Sequence, residues 1–155
     1  MLRYLLPTPE ATDALGEALA RARPDSAVVL LHGDLGAGKS SLTRAMLRAL
    51  GVAGAIRSPT YTLVERYPLA GGGEAWHMDL YRIADPGELE FLGLDSGEAV
   101  LWLVEWPERG AGILPPADLE LWLEVAGRGR AVRLEPRSAA GRAWVQRLPG
   151  ELAFA

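Results

Sequence analysis

An α/β domain with a mostly parallel central sheet and an antiparallel margin is the fold class that this 155-residue sequence predicts. Two apolar runs, 27–31 and 99–104, are continuous in the way that buried parallel strands are. A glycine-rich loop and a helical pattern follow the first run directly. The chain shows no repeat, linker or low-complexity tail, so we expect one domain over residues 1–155.

The first half of the chain predicts two helices around the first buried strand. Thr12 or Thr8 can cap the first helix, whose apolar residues repeat on one face until Pro24. The second helix is predicted over residues 40–50, and Gly51 ends it.

The second half predicts two hairpins, a second buried strand and two further helices. In chain order these are strands 63–67 and 74–79 joined by a glycine turn, a helix from Asp85 and Pro86, the buried strand 99–104, strands 118–125 and 131–135 around a turn at 127–129, and a helix over 139–148 capped by Ser138.

Residues 33–40 carry the full G-x-x-x-x-G-K-[ST] pattern of a phosphate-binding loop. Its glycines let backbone N–H groups approach an anion, and the following helix offers its N-terminus to the same charge. We expect Lys39 to reach the β- and γ-phosphates of a nucleotide and the Ser40 hydroxyl to bind Mg²⁺. Because strand, loop and helix follow in the order that the motif requires, we predict a three-layer P-loop NTPase-like domain. The loop residues expected at the nucleotide are Gly33, Asp34, Leu35, Gly36, Ala37, Gly38, Lys39 and Ser40.

Lys39 is the only lysine in a chain with 16 lysine and arginine residues. A compact ammonium fits between the β- and γ-phosphates, where a planar guanidinium does not. Its place in an arginine-rich chain therefore agrees with the phosphate-binding interpretation.

Two acidic residues end predicted strands and are candidates for catalysis. Glu105 ends the second buried strand, so its carboxylate emerges at the edge where open α/β sheets bind ligands. There it could hold Mg²⁺ directly, hold it through water, or polarise the attacking water; the alternative is an ordinary solvated acid. Asp79 also ends a strand and could be the other Mg²⁺ carboxylate. With only His32 and His77 in the chain, a histidine metal site is not expected, and both are interpreted as structural.

Residues 58–62 (Ser-Pro-Thr-Tyr-Thr) follow the loop helix, where phosphate-loop proteins often sense the γ-phosphate. The alternative is a polar turn fixed by one proline. Trp106 could stack on a nucleotide base or pack in the core.

The composition excludes several classes of function. Without cysteine there are no disulfides or thiolate zinc sites, and a cytoplasmic location is expected. A net charge of −4 gives no general basic surface for nucleic acid. No apolar run approaches the roughly 18 residues of a membrane span, so no membrane association is expected.

Four blocks in order resemble the TsaE family (formerly YjeE), bacterial ATPases of tRNA threonylcarbamoyladenosine synthesis. The blocks are residues 33–40, 58–65, 77–82 with Asp85 and Pro86, and 104–107. The second and third are far more specific than the phosphate loop, which many families share. The resemblance covers the chain from about residue 7 to residue 133.

The resemblance implies ATP binding and slow Mg²⁺-dependent hydrolysis to ADP. It also implies two protein partners, TsaD and TsaB, in modification of adenosine 37 of ANN-decoding tRNAs, with tRNA reached only through the complex. The family's Mg²⁺ positions map to Ser40 and Glu105, and its further catalytic acid to Asp79. Its switch-like block maps to Thr60, Tyr61 and Thr62.

The sequence differs from the family pattern at one place in the nucleotide-binding segment. Ser40 and Ser41 occupy the positions where family members usually carry two threonines, so the hydroxyl groups are kept. Two other functions stay open at this point. A small P-loop kinase would need an arginine-rich lid, which is not evident, and a non-catalytic module would use ATP only for assembly.

Overall fold

The computed structural model describes residues 1–94 and 97–152. In chain order the elements are β1 (Leu2–Leu6), α1 (Pro9–Ala22), β2 (Ala27–His32), α2 (Lys39–Ala49), β3 (Val64–Pro68), β4 (Glu74–Asp79), β5 (Ala99–Glu105), β6 (Leu119–Ala126), β7 (Gly129–Pro136) and α3 (Ala139–Arg147). Two short 3-10 helices, Pro86–Leu92 and Pro107–Gly110, precede and follow β5.

The seven strands form one sheet in the order β1-β7-β6-β2-β5-β4-β3. Its four central strands are parallel, because β2 pairs in parallel with both β5 and β6, and β5 with β4. Both margins are antiparallel, with β3 on β4 at one side and β7 and β1 beyond β6 at the other. The predicted fold class is therefore confirmed, although β1 was not predicted and the antiparallel pairing lies on two margins.

The three α-helices cover one face of the sheet. Leu15 of α1, Met46 of α2 and Trp144 of α3 belong to a single buried cluster with Val29 and Leu31 of β2. Trp144 is anchored by its indole N–H, which donates to the carbonyl of Leu19 at 3.1 Å.

Helix α1 approaches α2 closely at Gly16. A Cβ atom on Gly16 would lie 2.5 Å from Cβ of Ala45 and 2.9 Å from backbone atoms of α2. The absence of a side chain at this position therefore sets the distance between the two helices, and with it the position of α2 on the sheet.

The opposite face is covered by the 3-10 helices and their loops. Leu80, Ile83 and Leu89 pack there against Met78 and Val104 of the sheet. The predicted helix at Asp85 is a 3-10 helix, not an α-helix. Asp85 and Glu88 form its capping box and Pro86 suits the first position of a helix, but Gly87 is a poor α-helix former, and Gly93 in the left-handed conformation ends the element after 7 residues.

The structure shows which of the two candidate threonines caps α1. Thr8 caps α1, since its hydroxyl oxygen accepts from the Ala11 N–H at 3.2 Å, whereas Thr12 lies inside the helix. Ser138 caps α3 as predicted. Across residues 1–94 and 97–152, no helix has the length and apolar character to cross a membrane.

Candidate functional site

The candidate site is built on the carboxyl edge of the parallel strands. In the strand register, Leu31 near the end of β2 lies beside Glu105, which ends β5, and Glu105 lies beside Asp79, which ends β4. The parallel pairing of β2, β5 and β4 thus brings the phosphate loop and both candidate acids to one edge, as expected from the sequence.

The phosphate loop leads directly into helix α2. Gly33, Gly36 and Gly38 all have positive φ angles, which side-chain-bearing residues rarely adopt. Gly38 is the N-cap of α2 and has no side chain to cap it, in contrast to Thr8 and Ser138 on the other α-helices. The N–H groups of the first turn of α2 are therefore left for a ligand, and the helix dipole favours an anion.

Lys39 lies inside the loop with only 4% of its surface exposed. Its Nζ donates to the carbonyl of Gly33 and lies 3.9 Å from the centroid of the Trp106 ring. Burial lowers the pKa of Lys39, and the nearby carboxylates, led by Glu105 and Asp79, only partly offset it. An anion beside the ammonium would compensate this cost of desolvation.

Ser40 and Glu105, the two residues predicted to bind Mg²⁺, are in direct contact. The Ser40 hydroxyl lies 3.2 Å from Oε1 and 3.1 Å from Oε2 of Glu105. Glu105 is 3% exposed, so it is not the solvated end-of-strand acid that the sequence left as an alternative.

This donor set fits Mg²⁺. Mg²⁺ prefers oxygen ligands in an octahedron with bonds of about 2.0–2.1 Å, so neighbouring ligand oxygens lie about 3 Å apart. The Ser40 and Glu105 oxygens have that separation. The described residues contain no cluster of three or more His, Cys, Asp or Glu side chains that could hold an ion. Such a site would thus be completed by phosphates and water, as is usual for Mg²⁺.

Asp79 lies at the same edge but is less buried than Glu105. Its Oδ1 accepts from the backbone N–H of Tyr81 at 3.0 Å, which holds the carboxylate at the start of the turn after β4. Among the carboxylates that raise the pKa of Lys39, Asp79 has the second-largest effect, after Glu105.

His77 revises the interpretation of the histidines. Its Nε2 lies 2.5 Å from Oε2 of Glu105, and both side chains are 3% exposed. His77 therefore contacts a candidate catalytic acid, which its sequence position two residues before Asp79 did not reveal. His32 instead stacks on Trp122 and pairs with Glu120, away from the acids of the site.

The segment 58–62 lies beside the turn after β4; Ser58, Tyr61 and Thr62 are exposed, whereas Pro59 is buried and Thr60 is partly buried. Ser58 and Thr60 share a hydrogen bond of 2.6 Å, and the Thr62 hydroxyl donates to Glu65. Tyr61 is 81% exposed, with the Arg82 guanidinium 4.5 Å from its ring centroid. Within the described residues, the hydroxyls of this segment make no hydrogen bond to the phosphate loop.

The Trp106 ring contacts Lys39 of the phosphate loop as well as the hydrophobic core. It has a left-handed backbone with φ of 54°, a conformation that costs energy in a non-glycine residue. Its ring covers Lys39 Nζ on one side of the site and packs 4.9 Å from the Tyr81 ring. The strained turn after Glu105 is what directs the ring there.

A groove beside the loop was missed by the sequence analysis. It encloses about 790 Å³ between α1, α2 and the β6–β7 turn, a volume in the usual range for small-molecule sites. Its wall near the loop includes Gly38, Ser41 and Arg130, and the Arg130 side chain packs against Gly38. Further lining residues are Thr8, Thr12, Arg44, Arg48, Ala49 and Arg128. Thr8 and Arg128 are visible in the sequence only as a helix cap and a turn residue.

The central parallel sheet, the glycine loop and the helix after it define a protein of the P-loop NTPase-like class. Comparison with known proteins refines this class. The family model described as "Threonylcarbamoyl adenosine biosynthesis protein TsaE" matches residues 6–132. The chain belongs to the TsaE family.

Individual relatives agree with this assignment. The chain is 44% identical over 129 residues to the tRNA threonylcarbamoyladenosine biosynthesis protein TsaE of Haemophilus influenzae, covering 81% of each chain. It is 39% identical to the protein of that name in Aquifex aeolicus, covering 84% of this chain and 92% of the relative. A crystal structure of YdiB from Bacillus subtilis superposes with a TM-score of 0.75 and 26% identity, covering 94% of this chain and 91% of that one.

Proposed function

We propose that this protein is an ATP-binding, Mg²⁺-dependent ATPase that serves threonylcarbamoyl modification of adenosine 37 in ANN-decoding tRNAs. Family membership supports the pathway, because the family model and the relatives carry it in their names. The observation that carries the ATPase proposal is the contact of Ser40 with Glu105, buried beside Lys39 at the start of α2.

Each part of the site has a role in this proposal. The loop backbone and Lys39 would bind the phosphates and neutralise their charge. Ser40 and Glu105 would hold Mg²⁺, which polarises phosphoryl oxygens when it is bound. Asp79, which the strand register places next to Glu105, would orient the attacking water.

The groove would receive the nucleoside part of the nucleotide. It opens from Gly38 and Ser41, so a ligand with its phosphates in the loop can extend into it. Arg130, whose side chain packs against Gly38, adds positive charge beside the phosphates; the rest of the lining carries both signs of charge, with Asp13 and Glu17 as well as Arg128.

We further propose that the protein acts with TsaD and TsaB and reaches tRNA only through that complex. A net charge of −4 supports the second point, since tRNA binding alone would require a basic surface. The segment 58–62, in which Ser58, Tyr61 and Thr62 are exposed, is the proposed relay to the partners, because a γ-phosphate contact could reorder its hydroxyls.

The ATPase proposal is tested by calorimetric titration with ATP and ADP, with and without Mg²⁺, and by phosphate release with and without TsaD and TsaB. We expect binding of both nucleotides and phosphate release that requires Mg²⁺ but no added phosphoryl acceptor. Binding without phosphate release, even with both partners, would favour the non-catalytic assembly module. Release only with an added acceptor would favour a kinase.

The partner proposal is tested by pull-down of TsaD and TsaB with ATP, with ADP and without nucleotide. ATP should favour docking over ADP, and equal docking in all three states would remove the relay role of residues 58–62. A tRNA shift assay on the lone chain should show weak binding that collapses as salt rises. Tight, salt-resistant binding would contradict the argument from charge.

A further inference from the structure

His77 and Glu105 are buried together and joined by a hydrogen bond, which side-chain packing alone does not require. His77 and Asp79 lie on the same face of β4, as residues two apart in a strand do. In the register Glu105 is opposite Asp79, so His77 reaches it diagonally across the β4–β5 pair. Nε2 makes the one hydrogen bond of the imidazole among the described residues, since Nδ1 is buried and has no partner there.

The geometry also determines the tautomer of a neutral His77. With the proton on Nδ1, a buried N–H would have no acceptor, and the lone pair of Nε2 would face a carboxylate oxygen at 2.5 Å. With the proton on Nε2, the ring donates to Glu105, and only an acceptor is left without a partner. Buried donors without partners are the rarer and costlier case. His77 is therefore the donor of the pair.

Glu105 consequently accepts from two elements at once, the Ser40 hydroxyl at the start of α2 and His77 in β4. The contact with His77 fixes Oε2 on the side of β4, and so fixes the rotation of the carboxylate while both oxygens stay within 3.2 Å of Ser40. Groups that hydrogen-bond to a metal-binding carboxylate orient it, and their loss commonly weakens metal affinity about 10- to 100-fold.

We propose that His77 is a positioning residue that holds Glu105, through its Nε2–H, in the orientation that binds the divalent ion. This inference rests on the proposed function, because it assumes a Mg²⁺ site at Ser40 and Glu105. It assigns to the histidine a role in metal affinity rather than in nucleotide contact or folding.

Two amide variants form a matched test. In His77→Gln the amide nitrogen lies as many bonds from Cβ as Nε2 does and can donate to Glu105. In His77→Asn the amide is one bond shorter and falls short of Glu105. Mn²⁺ in place of Mg²⁺ allows metal binding in the presence of ADP to be measured by electron paramagnetic resonance, independently of hydrolysis.

We expect His77→Asn to bind Mn²⁺ about tenfold more weakly or worse than the parent protein in the presence of ADP. His77→Gln should recover most of this loss, and all three proteins should bind ADP alike without metal. Equal Mn²⁺ affinity in the parent and His77→Asn would overturn the positioning role only. A parent protein that binds ADP but shows no ADP-dependent Mn²⁺ binding would overturn the proposed Mg²⁺ site as well.

A measurement on the unaltered protein keeps the test decisive if a variant fails to fold. Nitrogen-15 NMR of the two imidazole rings distinguishes a protonated from an unprotonated ring nitrogen. His77 should carry its proton on Nε2, and its signals should shift when Mg²⁺ is added to the ADP complex. An unprotonated Nε2, or signals indifferent to the metal, would overturn the proposal.

Discussion

The Ser40 hydroxyl lies 3.1 Å from Oε2 of Glu105, although 65 positions separate the two residues in the chain. Ser40 follows the loop after β2 and Glu105 ends β5, so only the parallel pairing of these strands brings them together. The contact joins the phosphate loop to the acid-bearing edge of the sheet.

Replacing Lys39 by alanine should severely weaken nucleotide binding. The substitution removes a charge-assisted contact to phosphate, which is typically worth about 1.5–3 kcal/mol, or roughly tenfold to more than a hundredfold in affinity. Calorimetric titration with ADP measures the effect. Arg3→Ala is the matched control, because it removes one positive charge from an exposed residue whose one ionic partner among the described residues is Glu124. Unchanged ADP affinity in Lys39→Ala would show that this loop is not the site.

Glu105→Gln should separate hydrolysis from nucleotide binding. Glutamine keeps the size of the side chain but removes the charge proposed to hold Mg²⁺, so phosphate release should fall about tenfold or more. ADP affinity measured without metal should hold or rise, because one of the carboxylates beside Lys39 is neutralised. Hydrolysis by Glu105→Gln at the parental rate would show that Glu105 has only a structural role.

The parts of this molecule that the sequence predicted are those encoded locally. The phosphate loop is one contiguous motif, and β2 and β5 are continuous apolar runs, so the edge that holds Glu105 and Asp79 followed from their order. The family was likewise recognisable from contiguous blocks and is confirmed by the family model. The roles of the individual site residues stay predictions.

The features that the sequence did not reveal depend on contacts between distant segments. Strand β1 has five residues and is stabilised by pairing with β7, more than a hundred residues later. Gly16 reads as an ordinary helix residue until α2 is seen against it. His77 reads as structural because its contact with Glu105 crosses from β4 to β5. The groove has no motif, since its walls come from α1, α2 and the β6–β7 turn.

A substitution in the groove should affect binding of the nucleoside but not binding of the phosphates. Ala49 is an exposed groove residue at the end of α2, so Ala49→Trp should fill space proposed for the nucleoside. ADP affinity should fall about tenfold or more, the effect of about 1.4 kcal/mol or more of lost binding energy. Pyrophosphate, which needs only the loop, should bind as before.

Ala53→Trp is the matched control for this variant, because Ala53 is exposed close by but does not line the groove. Both substitutions add the same apolar bulk near the end of α2. An equal loss of ADP affinity in both, or an equal loss of pyrophosphate binding in Ala49→Trp, would place the nucleoside elsewhere.

The last prediction concerns stability and pH at Glu120, on the face of the sheet opposite the α-helices. Burial raises the pKa of Glu120, but hydrogen bonds from His32 and Arg137 outweigh it and hold the pKa below its ordinary value of 4.5. Because the folded-state pKa is depressed, the ionised carboxylate stabilises the fold in full above the ordinary pKa. This contribution is lost as the pH falls through the folded-state pKa.

Glu120→Gln should therefore lower the free energy of unfolding by roughly 1 kcal/mol at pH 7, measured by urea denaturation. The difference from the parent protein should shrink as the pH falls below 4.5, where the parent also loses the ionised form. Glu124→Gln is the control on the same strand and face; its exposed pair with Arg3 at 3.4 Å should contribute less than about 0.5 kcal/mol. Equal losses in both variants, or a loss in Glu120→Gln that does not change with pH, would mean that His32 and Arg137 do not stabilise the ionised carboxylate.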